Sequence, residues 1–180
     1  NAVIFMIMDV SGSMTKNKKF LARSFFFLLY QFIRHKYQTV EVVFVSHTTE
    51  AWEVNEDDFF KKASNGGTLI SSGLLLTEKI IQERFAPASW NIYTFHCSDG
   101  ENWSSDNEKA LESMSRLISL SQMAGYIQIT NEQQSVWGAE MADVFKPLIQ
   151  NKFKICQIKG KDDIWPEFVW LFGGKYDIKV

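Results

Sequence analysis

The sequence predicts an α/β fold with a doubly wound, mostly parallel six-stranded sheet, one antiparallel edge strand and helices on both faces. Apolar segments of strand length alternate with longer segments of helical periodicity, a pattern typical of a parallel sheet covered by helices. The composition agrees, because the chain of 180 residues is 46% hydrophobic and 22% charged. Such a chain can bury a large core and is not disordered, so we expect a single domain over residues 1–180.

The first half of the chain supplies three strands. Residues 2–8 are an unbroken apolar run, as expected for a central strand covered on both faces. Residues 16–36 follow with helical spacing of their large apolar side chains. A second strand is predicted at 39–46, and a very short link separates it from the third at 50–54. So short a link permits an antiparallel hairpin and excludes a helical crossover, which makes the third strand an antiparallel edge.

The second half alternates helices with single strands, which continues the parallel sheet. Pro147 should end or kink the helix that contains it. Asp106 has the position and chemistry of a helix cap. Helices are predicted at 55–63, 70–85, 106–121, 139–150 and 162–171, and strands at 90–97, 125–130 and 153–158.

The composition also excludes several classes of function. A net charge of −2 disfavours nucleic acid as a partner, because phosphate binding requires clustered Lys and Arg. No apolar run approaches the roughly 20 residues that span a bilayer. The two cysteines, Cys97 and Cys156, form no disulfide framework, so we expect both to be reduced and the location to be cytoplasmic. The chain enters a central strand directly after Asn1, from which we expect the C-terminal part of a longer protein.

Side chains with oxygen atoms occur in three loops that we expect to meet at one edge of the predicted sheet. Asp9, Ser11 and Ser13 come after the first strand, spaced two apart. Thr68 follows two glycines before the second long helix, and Asp99 follows the fourth strand. Ligands of doubly wound sheets bind outside the carboxyl ends of the strands. Two carboxylates and three hydroxyls without sulfur or imidazole suit Mg²⁺, with Mn²⁺ or Ca²⁺ as alternatives.

At these residues the sequence resembles the von Willebrand factor type A domains. The segment from Asp9 to Ser13, then Thr68, then Asp99 followed by Gly100, looks like the full metal-ion-dependent adhesion site of that family. The hairpin and the six-strand order fit the same fold. The segment VVFVSHTTEAWEV and the later segment NGGTLISSGL resemble one bacterial branch of these domains, the YeaH/YhbH family of stress- and sporulation-associated proteins.

The resemblance implies a role for each of these residues. Ser11 and Ser13 would bind the metal through their hydroxyls, Thr68 directly or through water, and Asp9 and Asp99 largely through water. An open position on the metal would accept an Asp or Glu from a protein partner. The family setting implies the bacterial cytoplasm and a partner such as a PrkA-type serine kinase or another ATPase. The domain would then be an adaptor and not an enzyme.

Two other interpretations of the same residues stay open at this stage. One is a Mg²⁺-dependent phosphohydrolase or phosphotransfer enzyme that uses Asp9, although the chain lacks a phosphate-binding GxxxxGK[ST] loop. The other takes Ser11 and Ser13 as helix caps, a role in which serine is common.

Three further residues are candidates for contact with a partner. His47 follows the second strand at the same edge of the sheet, although an exposed or structural histidine is the simpler interpretation. Trp103 lies in the loop beside Asp99, where an aromatic residue is unusual. Lys16 begins a cluster with Lys18 and Lys19 that we interpret as a solvated face, or as cations that attract an acidic partner.

Overall fold

The computed structural model describes residues 1–61, 66–130 and 140–173, and within these ranges it has the predicted α/β architecture. The strands are β1 (Ala2–Asp9), β2 (Val40–His47), β3 (Ala51–Val54), β4 (Asn91–Ser98), β5 (Met123–Ile129) and β6 (Phe153–Ile158). The helices are α1 (Lys16–Lys36), α2 (Glu56–Lys61), α3 (Ile70–Arg84), α4 (Asn107–Leu120), α5 (Met141–Phe145) and α6 (Lys161–Leu171).

The strands form one sheet in the order β3-β2-β1-β4-β5-β6. All neighbouring strands are parallel except β2 and β3, which pair antiparallel from Phe44 opposite Val54 to His47 opposite Ala51. The antiparallel edge predicted from the short link is therefore confirmed. The helix predicted around 139–150 is shorter: α5 passes into a 3₁₀ turn, Lys146–Leu148, that contains Pro147. Proline has no amide proton for the helical ladder, which explains this early end. Residue 139, and the end of the helix predicted at 55–63, lie outside the described residues.

Alternate side chains of β1 enter two different cores, one on each face of the sheet. Met6 and Met8 belong to the core that contains Phe25 of α1 and Phe168 of α6. Phe5 and Ile7 belong to the opposite core, which contains side chains of α3, α4 and α5. Every residue of β1 is buried, and this explains why its sequence is apolar without alternation. The prediction of helices on both faces is confirmed.

The strand order reverses at β1, which lies at the centre of the sheet between β2 and β4. The chain leaves β1 through α1 to reach β2 on one side, and later returns through α3 to β4 on the other. Loops that follow β1 and β4 therefore diverge and leave a crevice at the carboxyl ends of the strands. The oxygen-bearing residues singled out in the sequence lie at this crevice.

The state of the two cysteines and the possibility of a membrane-spanning helix were also considered in the sequence. Cys97 and Cys156 are both free thiols and both buried. Along the described ranges, no helix combines the length and the hydropathy that a membrane span requires.

Candidate functional site

The Asp9 side chain is buried at the end of β1, where the chain turns into the loop before α1. Its Oδ1 accepts a hydrogen bond of 2.8 Å from the Ser11 amide, while its Oδ2 is buried without a hydrogen-bond partner. The hydroxyls of Ser11 and Ser13 lie 3.3 Å apart. The first three predicted site residues therefore lie together, and one carboxylate oxygen among them is unsatisfied.

This environment disfavours the ionised form of Asp9. Burial raises the pKa of Asp9 from 3.8 to about 7, although the hydrogen bonds from Ser11 lower it. The negative charges of Asp99 and Glu101 raise this pKa further. A buried carboxylate with a free oxygen and a second carboxylate nearby is stabilised by a cation between them.

Asp99 is buried at the end of β4 and makes an ion pair that the sequence did not predict. Its Oδ2 lies 2.9 Å from the ammonium of Lys18, which also donates a hydrogen bond of 3.1 Å to the Ser13 carbonyl oxygen. The interpretation of the lysine cluster as a solvated face is therefore wrong for Lys18, which is only 4% exposed. Lys16 is exposed, as a partner-contact residue needs to be.

The α1 N-terminus resolves one of the alternatives for the serines. The N-cap of α1 is Thr15, whose Oγ1 accepts a hydrogen bond of 3.3 Å from the Lys18 amide. Neither Ser11 nor Ser13 is the cap, so the cap interpretation of these two residues is wrong. Their hydroxyls remain beside the Asp9 carboxylate, where a metal site would need them.

The loop before α3 brings Thr68 to the same crevice. Thr68 is 5% exposed, and its carbonyl oxygen lies 3.4 Å from the Trp103 amide, which donates to it. The Gly12 amide donates to the Gly66 carbonyl oxygen at 3.5 Å, which joins this loop to the one after β1. Gly67 packs against the Trp103 indole so closely that a Cβ would lie 2.6 Å from Cζ2. The loop before α3 therefore contacts both the loop after β1 and the loop after β4.

The N-terminus of α3 is held by side chains from the loop after β4. The Ile70 amide donates to Asn102 Oδ1 at 3.0 Å, and the Ser71 amide donates to Asp106 Oδ2 at 3.0 Å. The Ser71 hydroxyl also donates to Asp106 Oδ1 at 2.5 Å. Asp106 is the N-cap residue of α4, as predicted, but its side chain makes no capping hydrogen bond to that helix. Its carboxylate binds the first turn of α3 instead. These bonds fix the N-terminus of α3, directly after the loop that contains Thr68.

A buried polar network that the sequence analysis missed supports the loop of Asp99. The hydroxyls of Ser98 and Tyr126 lie 2.7 Å apart, and the Gly100 amide donates to Ser98 Oγ at 3.1 Å. Gln128 of β5 accepts from the Ala142 amide at 2.9 Å and donates to Glu140. Gly100 has a φ of 89°, and a Cβ there would lie 2.8 Å from the Gln128 amide group. The sequence signal for this network was Gln128, a polar residue near the carboxyl end of the apolar strand β5.

His47 is placed differently from the sequence interpretation. It is completely buried, and its Nε2 lies 2.8 Å from the Nε2 of His96. Burial lowers the pKa of His47 to about 4 and holds that of His96 well below its ordinary value. His47 as a partner contact is therefore wrong, because its ring is buried beside His96 and against Gly73 of α3. Trp103 is 55% exposed and remains at the rim of the site.

The donor set of the crevice fits a small, hard cation. It offers the Asp9 and Asp99 carboxylates with the hydroxyls of Ser11, Ser13 and Thr68, and one oxygen of Asp9 has no partner. Such oxygen ligands are those of Mg²⁺, Mn²⁺ and Ca²⁺. Over the described ranges, no cluster of three or more His, Cys, Asp or Glu is arranged to hold a metal. Any ion in the crevice would therefore depend on hydroxyl ligands.

The chain matches one known protein family over nearly its whole length. The model of the family described as "Protein of unknown function (DUF444)" matches residues 1–175. The chain belongs to this family. A UPF0229 protein of Ruminiclostridium cellulolyticum is 51% identical over 167 residues, which is 92% of this chain and 42% of the relative. A UPF0229 protein of Clostridium perfringens is 50% identical, with the same two shares. The chain thus spans about two fifths of the length of these curated relatives, both of which are bacterial proteins.

Solved structures with the same fold have little sequence identity to the chain. The D319A mutant of the PilB minor pilin from Streptococcus sanguinis has a TM-score of 0.66 at 11% identity, over 97% of this chain and 64% of the pilin. The manganese-loaded TRAP protein of Plasmodium vivax has a TM-score of 0.61 at 12% identity, over 96% and 72%. An aerotolerance-related membrane protein of Bacteroides fragilis has a TM-score of 0.60 at 12% identity, over 93% and 95%. These are von Willebrand type A-like folds, and the likeness concerns the fold alone.

Proposed function

We propose that this domain binds a divalent cation, foremost Mg²⁺, in the crevice between the loops of β1, α3 and β4. The bound cation would hold a carboxylate of a protein partner, so that the domain acts as a metal-dependent adaptor. Ser11, Ser13 and Thr68 would supply hydroxyl ligands, and Asp9 and Asp99 would supply the negative charge. The cation contributes an electrophilic position to which an acidic side chain can bind.

The single observation that carries this proposal is the state of Asp9. A buried carboxylate oxygen without a partner costs stability unless something satisfies it. Burial raises the pKa of Asp9 to about 7, so near neutral pH this carboxyl group is only partly ionised. A divalent cation beside Asp9 would satisfy the free oxygen and favour the ionised form.

The proposed partner group follows from charge. Two carboxylates can at most neutralise a divalent ion, and hydroxyl ligands add no charge. The ion then stays electrophilic toward an additional anion, and an Asp or Glu side chain is the anion that a protein partner presents. Trp103 is exposed beside the site and would supply apolar contact to residues that flank this acidic side chain. Lys16, exposed at the start of α1, would add an attractive charge.

The fold neighbours support the placement without defining the chemistry. The TRAP protein is manganese-loaded, and PilB is a minor pilin. A site at the carboxyl ends of β1 and β4 is also where doubly wound sheets bind their ligands. The resemblance to stress- and sporulation-associated proteins makes a PrkA-type serine kinase the first partner to test.

Calorimetric titration of Mg²⁺ and Mn²⁺ into the wild type and Asp9→Asn tests the metal site. Asp57→Asn, which removes an exposed carboxylate of α2, is the matched control. We expect binding by the wild type and the control and its loss in Asp9→Asn. Equal binding by all three proteins, or by none, contradicts the proposed site.

The partner arm uses the immobilised domain and a purified PrkA-type kinase, in Mg²⁺ and in chelator. Metal-dependent retention that Asp9→Asn abolishes supports the adaptor role. Retention of the kinase that is equal in Mg²⁺ and in chelator contradicts the metal bridge. The phosphotransfer alternative predicts turnover of phosphoryl substrates that is lost in Asp9→Asn, and the same proteins can be assayed for it.

A further inference from the structure

Lys18 is a lysine in an unusual place. It lies in the first turn of α1, and its side chain is 5% exposed, while that of its partner Asp99 is 0% exposed. Its ammonium contacts the Asp99 carboxylate at 2.9 Å and the Ser13 carbonyl oxygen at 3.1 Å. Both of these residues belong to the proposed metal site.

The position is unfavourable for a cation unless an anion compensates it. Lysine is almost never fully buried without a partner, and the N-terminus of a helix carries a positive partial charge. The first turn of α1 contains no acidic residue. The Asp99 carboxylate, which comes from the other side of the crevice, therefore provides the compensation. The Lys18 ammonium is the counter-ion of Asp99 in this structure.

From this geometry we infer that Lys18 is a tethered competitor of the divalent cation, so that metal binding and the Lys18–Asp99 ion pair oppose each other. The inference rests on the proposed metal site and adds its regulation. An ammonium and a divalent ion that share one carboxylate repel each other across a few ångströms in a buried site. Binding of the metal would weaken the ion pair and drive the Lys18 side chain away from Asp99.

The first test measures metal affinity by calorimetric titration of Mn²⁺. Lys18→Met removes the charge and keeps much of the length, and Lys18→Gln also keeps a donor toward Asp99. Lys109→Met removes a charge from the first turn of another helix, α4, at an exposed position and is the matched control. We expect Mn²⁺ to bind the two Lys18 variants at least about tenfold more tightly than the wild type. The control should stay within about twofold of the wild type.

The outcomes separate this inference from the proposed metal site. Wild-type binding with Lys18 variants that gain less than fivefold overturns the inference and leaves the metal site in place. Binding by the Lys18 variants alone supports the inference in its strongest form, in which Lys18 replaces the metal. Absence of binding in all four proteins overturns both.

A second measurement needs no variant and therefore does not depend on how the variants fold. Lysines of the wild-type domain are acetylated with a water-soluble reagent, in chelator and in Mn²⁺, and the modified sites are located by mass spectrometry. We expect Lys18 to react far more slowly than Lys16 in chelator, and severalfold faster once Mn²⁺ is added. A Lys18 rate that Mn²⁺ leaves unchanged or lowers, at concentrations shown to bind, overturns the inference.

Discussion

Asp9→Asn tests whether the buried carboxylate after β1 reduces the stability of the metal-free domain. The folded protein holds the Asp9 proton up to about pH 7, whereas the unfolded chain releases it near 3.8. Between these two values the folded state binds more protons, so rising pH lowers the free energy of unfolding. Above pH 7 the shift corresponds to roughly 4 kcal/mol, at about 1.4 kcal/mol per pH unit.

Asp9→Asn removes the buried charge but still leaves a buried polar group without a hydrogen-bond partner. Asn keeps an oxygen that accepts from the Ser11 amide, while its NH₂ group enters the place of an oxygen without a partner. A buried unsatisfied donor costs about 1–3 kcal/mol, which leaves a net gain of about 2 kcal/mol near pH 8 in chelator. For a domain of this size we expect the midpoint of thermal unfolding to rise by about 4–8 °C.

The assay is thermal and urea unfolding near pH 8 in chelator and in excess Mg²⁺, with Asp57→Asn as the exposed control. Mg²⁺ should stabilise the wild type and the control by mass action, and should leave Asp9→Asn unchanged. If Asp9→Asn destabilises the domain equally in chelator and in Mg²⁺, the Asp9 carboxylate is purely structural and the reasoning is refuted.

Three further changes concern the groups that support the site. Acid should weaken folding through His47, whose pKa falls from 6.5 to about 4 on folding, by about 3 kcal/mol as pH drops across that window. Urea unfolding of Asp9→Asn, which lacks the opposing titration, measures this acid loss. His47→Gln should remove the contribution of His47, while His96, whose pKa burial also lowers, keeps its own. Gly73→Ala should cost about 2 kcal/mol of unfolding free energy because its Cβ would lie 2.7 Å from the His47 ring, whereas Gly66→Ala meets open space; equal effects would contradict the packing argument. Asp106→Ala should cost about 2–4 kcal/mol in urea unfolding and weaken Mn²⁺ binding, because the Ser71 amide and hydroxyl lose their acceptor; a change below 0.5 kcal/mol would contradict this role.

The fold could be predicted closely because the apolar pattern of each strand is visible in a short stretch of sequence. The apolar run of β1 and the short link to β3 are properties of neighbouring residues, and they dictate a buried central strand and an antiparallel edge. Strand and helix bounds differ from the predictions by one or two residues at most places. Pro147 shortened α5 more than expected, because the chain continues there as a 3₁₀ turn.

The site could be predicted as a cluster but not as a set of contacts. Parallel strands bring Asp9 and Asp99 to one edge of the sheet, as the sequence order already implies. Thr68 reaches the same edge through its loop, which contacts the loops that follow β1 and β4. The role of Lys18 depends on an ion pair with a residue 81 positions away, which helical periodicity cannot indicate. A cation in a helical first turn without an acidic neighbour was the one available signal.

The same limit explains His47 and Asp106. Their partners, His96 and Ser71, lie 49 and 35 positions away and become neighbours only through strand register and helix packing. A polar residue at the end of a strand can face solvent or a buried partner, and the local sequence is the same in both cases. Register is set by the whole sheet, so these roles required the structure.

We propose that a divalent cation binds among the oxygens of Asp9, Ser11, Ser13 and Thr68. Anomalous diffraction from crystals of the domain grown with Mn²⁺ tests it most directly, because the peak locates the ion without assuming its ligands. We expect a peak within bonding distance of the Ser11 and Ser13 hydroxyls, with the Lys18 ammonium moved away from Asp99. A fully loaded crystal with no peak there, and with Lys18 still paired to Asp99, would contradict the claim.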